Sequence, residues 1–66
     1  MIIEIDKQYK RKATIYTVKR IDETDNATYI YVLEEGLDDK LENYRCYGKK
    51  VFDNDFNLMK KEVNDG

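Results

Sequence analysis

Histidine, proline and tryptophan are absent from this 66-residue chain, and cysteine occurs once, as Cys46. A single thiol excludes an internal disulfide, and a thiol without histidine leaves no zinc-ligand set. The lack of an imidazole also removes the usual general base of a Ser-His or Cys-His nucleophile. Glycine stands only at positions 36, 48 and 66, so no phosphate-cradling glycine loop exists. No apolar run approaches the roughly 20 residues that cross a bilayer. The opening Met1-Ile2-Ile3-Glu4-Ile5-Asp6 meets carboxylates too early for the apolar core of a signal peptide. These absences predict a cytoplasmic, non-enzymatic protein with no cofactor, no metal and no membrane partner.

What is present predicts one small β-rich domain over residues 1–66. A domain of this size buries only about 60% of the surface its unfolded chain exposes, so its stability must come from packing or from pairing as a homodimer or other homo-oligomer. Charged residues make up 39% of the chain, but the net charge is only −2 and eight aromatics are spread along it, which favours folding over disorder.

Strand signals dominate. Ile2, Ile3 and Ile5 predict a first strand at about 2–6, ended by the polar stretch Asp6 to Lys12. Ala13 to Ile21 is rich in β-branched and aromatic residues and predicts a second strand, with Ala13, Ile15, Thr17 and Ile21 on one face and Thr14, Tyr16, Val18 and Arg20 on the other. Asp22 to Asn26 reads as a turn, and Ala27 to Glu34 as the returning strand of a hairpin. The segment Leu37 to Leu41 reads as an excursion loop with at most one helical turn. Asn43 to Tyr47 alternates again, and Gly48-Lys49-Lys50 reads as a turn before Val51-Phe52, giving a second hairpin. Residues 55–63 fit either a final strand or a short C-terminal helix capped by Asp55. The expected fold class is mainly β: a small antiparallel barrel or bent meander of four to five strands, the size of SH3-like domains.

Several motifs that suggest chemistry fail on inspection. Asp53-Asn54-Asp55-Phe56-Asn57 opens like a calcium loop, yet Leu58 stands where glycine is needed and Asn64 where a bidentate glutamate is needed. Cys46 lies in an alternating apolar run and reads as a small buried hydrophobe. Carboxylate pairs such as Glu34-Glu35 and Asp38-Asp39 have no cleft in a domain this small to set them across a substrate.

Charge is unevenly placed. Residues 1–20 carry six cations against two carboxylates, and residues 21–43 carry eight carboxylates against Lys40 alone. Six tyrosines are many for such a chain, and Tyr29, Tyr31, Tyr44 and Tyr47 fall on adjacent predicted strands where they could cluster. The leading expectation is therefore a protein-binding module that occupies a surface on a larger partner, with Tyr29, Tyr31 and Tyr47 as anchors. Glu34, Glu35, Asp38 and Asp39 would steer the encounter. The lysine-, asparagine- and tyrosine-rich composition suits an AT-rich genome, hence a viral accessory protein or mobile-element inhibitor or regulator. The alternative is nucleic-acid or nucleotide binding through Lys7, Lys10, Arg11, Lys12, Lys19 and Arg20, where cations track phosphates and tyrosines stack bases.

Overall fold

The densest β-branched stretch of the sequence forms the centre of the sheet. In the computed structural model, which describes residues 3–58, β2 (Thr14–Glu23) and β3 (Thr28–Glu34) pair antiparallel as the predicted hairpin. The Thr24 hydroxyl organises the turn between them, accepting from the Asn26 and Ala27 N–H groups at 3.3 and 3.0 Å and donating to the Ala27 carbonyl at 3.0 Å. β4 (Tyr44–Gly48) adds to the outer side of β3, and β1 (Gln8–Arg11) to the outer side of β2. A single 3-10 turn, Leu41–Asn43, leads into β4. After β4 the chain enters helix α1 (Lys49–Asp55), and the two-residue β5 (Asn57–Leu58) then pairs with the free side of β1.

The strand order β4-β3-β2-β1-β5 leaves β4 and β5 at opposite ends of an open sheet. This corrects the expectation of a barrel. Closure needs the two end strands to pair with each other, and α1 instead carries the chain across one face to the far side of β1. Among the described residues, β1 to β4 form an antiparallel meander, and β5 completes an open sheet of five strands with one short helix.

One face of the sheet lies beneath α1. Tyr9, Tyr16, Val18, Ile30 and Val32 point from the strands toward Phe52 and Phe56, and these seven side chains form the core. Ile3, Ile21 and Tyr47 pack around it half-buried. Phe52 stacks on Phe56 at 4.4 Å between ring centroids and meets Tyr9 edge-on at 5.0 Å. Tyr16 and Tyr47 each meet Phe56 edge-on at 5.2 Å. The core is thus largely aromatic, and it compensates for a seven-residue helix too short to persist unaided.

Three local expectations are corrected. The first strand described lies at 8–11, inside the stretch read as polar, with Tyr9 and Arg11 turned to the covered side while Gln8 and Lys10 face outward. Ile5 and Asp6 form a turn instead, with Asp6 at φ 69° and its N–H bonded to the Val18 carbonyl at 2.8 Å. Second, Lys19 is an extra residue between the Val18–Val32 and Arg20–Tyr31 pairs, a bulge that shifts the side-chain parity. Ile21 therefore joins Tyr16 and Val18 against the core instead of sharing a face with Ile15. Third, Lys49–Asp55 is helical where a turn and strand at Val51-Phe52 were expected. Phe52 and Phe56 are spaced four apart, which places both on one helix face, and Lys49 bonds Asp53 across the same interval at 2.8 Å. Of the ambiguous segment 55–63, Asn57 and Leu58 are strand, and residues 59–63 lie outside the described residues.

Candidate functional site: the open face of the sheet

In an antiparallel sheet, directly paired residues share a face, so the registers assign every side chain to a side. Ile15 and Thr17 of β2, Tyr29, Tyr31 and Leu33 of β3, and Tyr44 and Cys46 of β4 occupy the face away from α1. Ile15, Tyr31, Leu33 and Tyr44 are half-buried, while Tyr29 is 41% exposed. Among the described residues, no helix lies over this face as α1 lies over the other, and the β3–β4 loop reaches onto it at Asp39.

Charged groups frame the patch. Arg20, opposite Tyr31, holds its guanidinium 5.8 Å from the Tyr31 ring centroid and bonds Asp22 at 2.6 Å. Next to it on β2, Lys19 pairs with Asp39 at 2.8 Å, and the Tyr44 hydroxyl donates to the same carboxylate. Asp39 belongs to the loop between β3 and β4, so this three-residue contact ties the loop to the sheet. The Tyr31 hydroxyl titrates above its ordinary value, chiefly through hydrogen bonding with the Cys46 side chain directly across from it.

The Lys19–Asp39–Tyr44 contact has a defined pH window. Bonding to Lys19 and then to Tyr44 lowers the Asp39 pKa, so its contribution is present above the ordinary carboxylate value and is lost as pH falls through the depressed one. The bond to Asp39 raises both the Lys19 and Tyr44 values, so their contributions are present below about pH 10 and are lost as pH rises through the raised values. In an NMR titration, the loop 35–43 amides are expected to hold one set of shifts at neutral pH and to move together below about pH 4. Shifts that stay fixed to below pH 2, or the same titration in an Asp39→Asn variant, would refute the assignment.

The structure separates the residues nominated from sequence. Tyr29 and Tyr31 lie on the open face, joined by Tyr44, but Tyr47 points to the opposite side, against Phe56 and under Arg11. Arg11 Nη1 donates to the Tyr47 hydroxyl at 3.1 Å, and its Nη2 pairs with Asp55 at 3.3 Å. Among the four acids, Asp39 alone joins the patch. Glu34 pairs with Tyr16 on the covered side, and Glu35 and Asp38 are exposed loop residues. Of the six basic residues, Arg11, Lys19 and Arg20 each pair with a carboxylate. Lys10 faces the open side, Lys7 precedes β1, and Lys12 lies in the β1–β2 turn with φ 55°.

Cys46 is exposed rather than buried, because it stands on an outer strand and on the uncovered face. Sequence reasoning missed Leu33 and Ile15 as members of the patch. Their signal was the same alternation that marks the core, which cannot say which of two apolar faces the helix will cover. A cleft of about 530 Å³ also opens between the β2–β3 turn and the start of α1, bordered by Asn26, Thr28, Lys49, Lys50 and Asp53. Among the described residues, no group of three or more acidic or cysteine side chains is placed to hold a metal ion, and no helix is long and apolar enough to cross a membrane. The chain matches no protein-family model, no curated protein and no solved structure.

Proposed function

We propose that this chain is a protein-binding module that docks on a larger protein through the open face of its sheet. The observation that carries the reading is the patch itself. Tyr31, Leu33 and Tyr44 with Ile15 occupy one face, half-buried and with no helix over them, beside the Arg20–Asp22 and Lys19–Asp39 pairs. Aromatic and aliphatic groups at the centre with charges at the rim are the anatomy of a protein interface, and tyrosine and arginine are its most frequent energetic anchors.

Nucleic-acid binding is the reading this one competes with, since tyrosines on a sheet face can stack bases. The charges favour protein. Arg20 and Lys19 are each neutralised by a carboxylate at the patch, Arg11 is engaged on the other side, and the net charge of −2 gives phosphate no attracting field.

Capture by the tagged chain from a lysate of its source cell, with and without nuclease, discriminates them. The expected result is a stoichiometric protein retained after nuclease and lost when Tyr31 is replaced by alanine. Retention that vanishes with nuclease, or that falls steeply with added salt, would transfer the function to the basic residues.

A further inference from the structure

The outer edge of β4 is the second uncovered feature of the sheet. As the terminal strand in the order β4-β3-β2-β1-β5, β4 has no strand partner on its outer side among the described residues. Natural edge strands are usually protected by proline, by lysine, by a bulge or by extreme shortness. Tyr44-Arg45-Cys46-Tyr47-Gly48 has no proline, lysine or bulge, the bulge of this sheet lying on β2, and its one charge is Arg45, exposed and opposite Val32.

We infer that β4 pairs antiparallel with β4 of a second copy of this chain, about a two-fold axis at Cys46, joining two open sheets into one. Charge selects both the direction and the register. Asp38, Asp39 and Glu42 precede β4, with Lys40 among them, and Lys49 and Lys50 follow it. Antiparallel pairing sets the acidic end of each strand beside the basic end of the other, whereas parallel pairing sets like beside like. An axis at Arg45 would bring two guanidiniums face to face. An axis at Tyr47 would place Arg45 across from Lys49. The axis at Cys46 avoids both and sets Arg45 opposite Tyr47 of the second copy, a cation beside an aromatic ring.

The groups this arrangement needs are accessible. Arg45, Cys46, Glu42 and Lys50 are all exposed. Among the described residues, Glu42 and Lys50 enter no ion pair, while Lys49 is held by Asp53 and Asp39 by Lys19. Two five-residue edges bury less surface than a permanent dimer requires, so the association is weak and concentration-dependent. Edge pairing leaves the open face uncovered, and the two patches become one continuous surface across the axis. The pairing therefore stands independently of what docks on that face.

Sedimentation of the full chain from micromolar to millimolar concentration tests the inference. The expected result is a monomer–dimer equilibrium that Glu42→Lys or Lys50→Glu alone weakens about tenfold, and that the two together restore to within about threefold. A short bismaleimide is expected to join Cys46 to Cys46 in the wild type and in the double variant, and much less in either single variant. A monomer across the whole range, or a double variant no better than the singles, would overturn it. Circular dichroism of each variant confirms that the comparison is among folded chains.

Discussion

Replacing Phe52 by alanine is expected to abolish cooperative unfolding of this domain at room temperature. Phe52 is fully buried, stacked on Phe56 at 4.4 Å and set edge-on against Tyr9 at 5.0 Å. Truncating such a ring removes its transfer energy and leaves a cavity, together about 3–5 kcal/mol. Domains hold about 0.05–0.15 kcal/mol per residue, which for this chain is roughly 3–10 kcal/mol, and a short chain without disulfide or metal falls toward the lower end. The loss is therefore comparable to the whole stability. It also propagates, because Phe52 and Phe56 hold the helix that delivers β5 to β1.

Urea unfolding followed by circular dichroism gives the measurement, and Val51 supplies the control. Val51 is 46% exposed on the same helix, so Val51→Ala is expected to change stability by no more than about 0.5 kcal/mol. Equal midpoints for the two variants would mean that α1 does not form the lid of the core.

Why the strands were legible in the sequence and the helix was not comes down to the range of the signals. The β2–β3 hairpin is announced by alternation and by a turn-forming cluster within one short stretch, and both are local. The helix carried equally local marks, Phe52 with Phe56 and Lys49 with Asp53, each four residues apart. They were overridden because Gly48-Lys49-Lys50 resembles a hairpin turn, and because Val51 and Phe52 are residues that also favour strands. β1 was hidden for a different reason. It has one inward apolar side chain, Tyr9, among lysine, glutamine and arginine, and nothing local distinguishes a buried tyrosine from an exposed one.

The bulge at Lys19 has no compositional mark at all, since an extra residue is defined only by the partner strand. That bulge moved Ile21 to the core side, and with it the division between the two faces. The candidate site suffered most from this limit. Alternation along β3 puts Tyr29, Tyr31 and Leu33 on one face and Ile30 and Val32 on the other, but both faces are apolar. Which of them is core depends on where α1 lies, and α1 was the element misread.

Tyr31 and Tyr47 turn that ambiguity into a measurable contrast. Both were nominated as anchors on the same grounds, and the sheet places them on opposite sides. Tyr47 packs edge-on against Phe56 at 5.2 Å and accepts a hydrogen bond from Arg11 at 3.1 Å. Its replacement by alanine is expected to cost about 2 kcal/mol of folding stability, from lost ring burial and from the unsatisfied Arg11 donor. Tyr31 supports only its neighbours across the strands, and Tyr31→Ala is expected to cost below about 1 kcal/mol of stability.

In binding the order reverses. An aromatic anchor at the centre of an interface contributes about 2 kcal/mol or more, so Tyr31→Ala is expected to weaken binding of the captured protein about thirtyfold. Tyr47→Ala, in conditions where it remains folded, is expected to bind within about threefold of the wild type. Urea unfolding and titration calorimetry on the two variants fill this two-by-two comparison. A loss of affinity in Tyr47→Ala with none in Tyr31→Ala would place the docking surface beside Arg11 and α1. Equal losses in both would make the effect one of folding, and the open face would no longer be distinguished from the core.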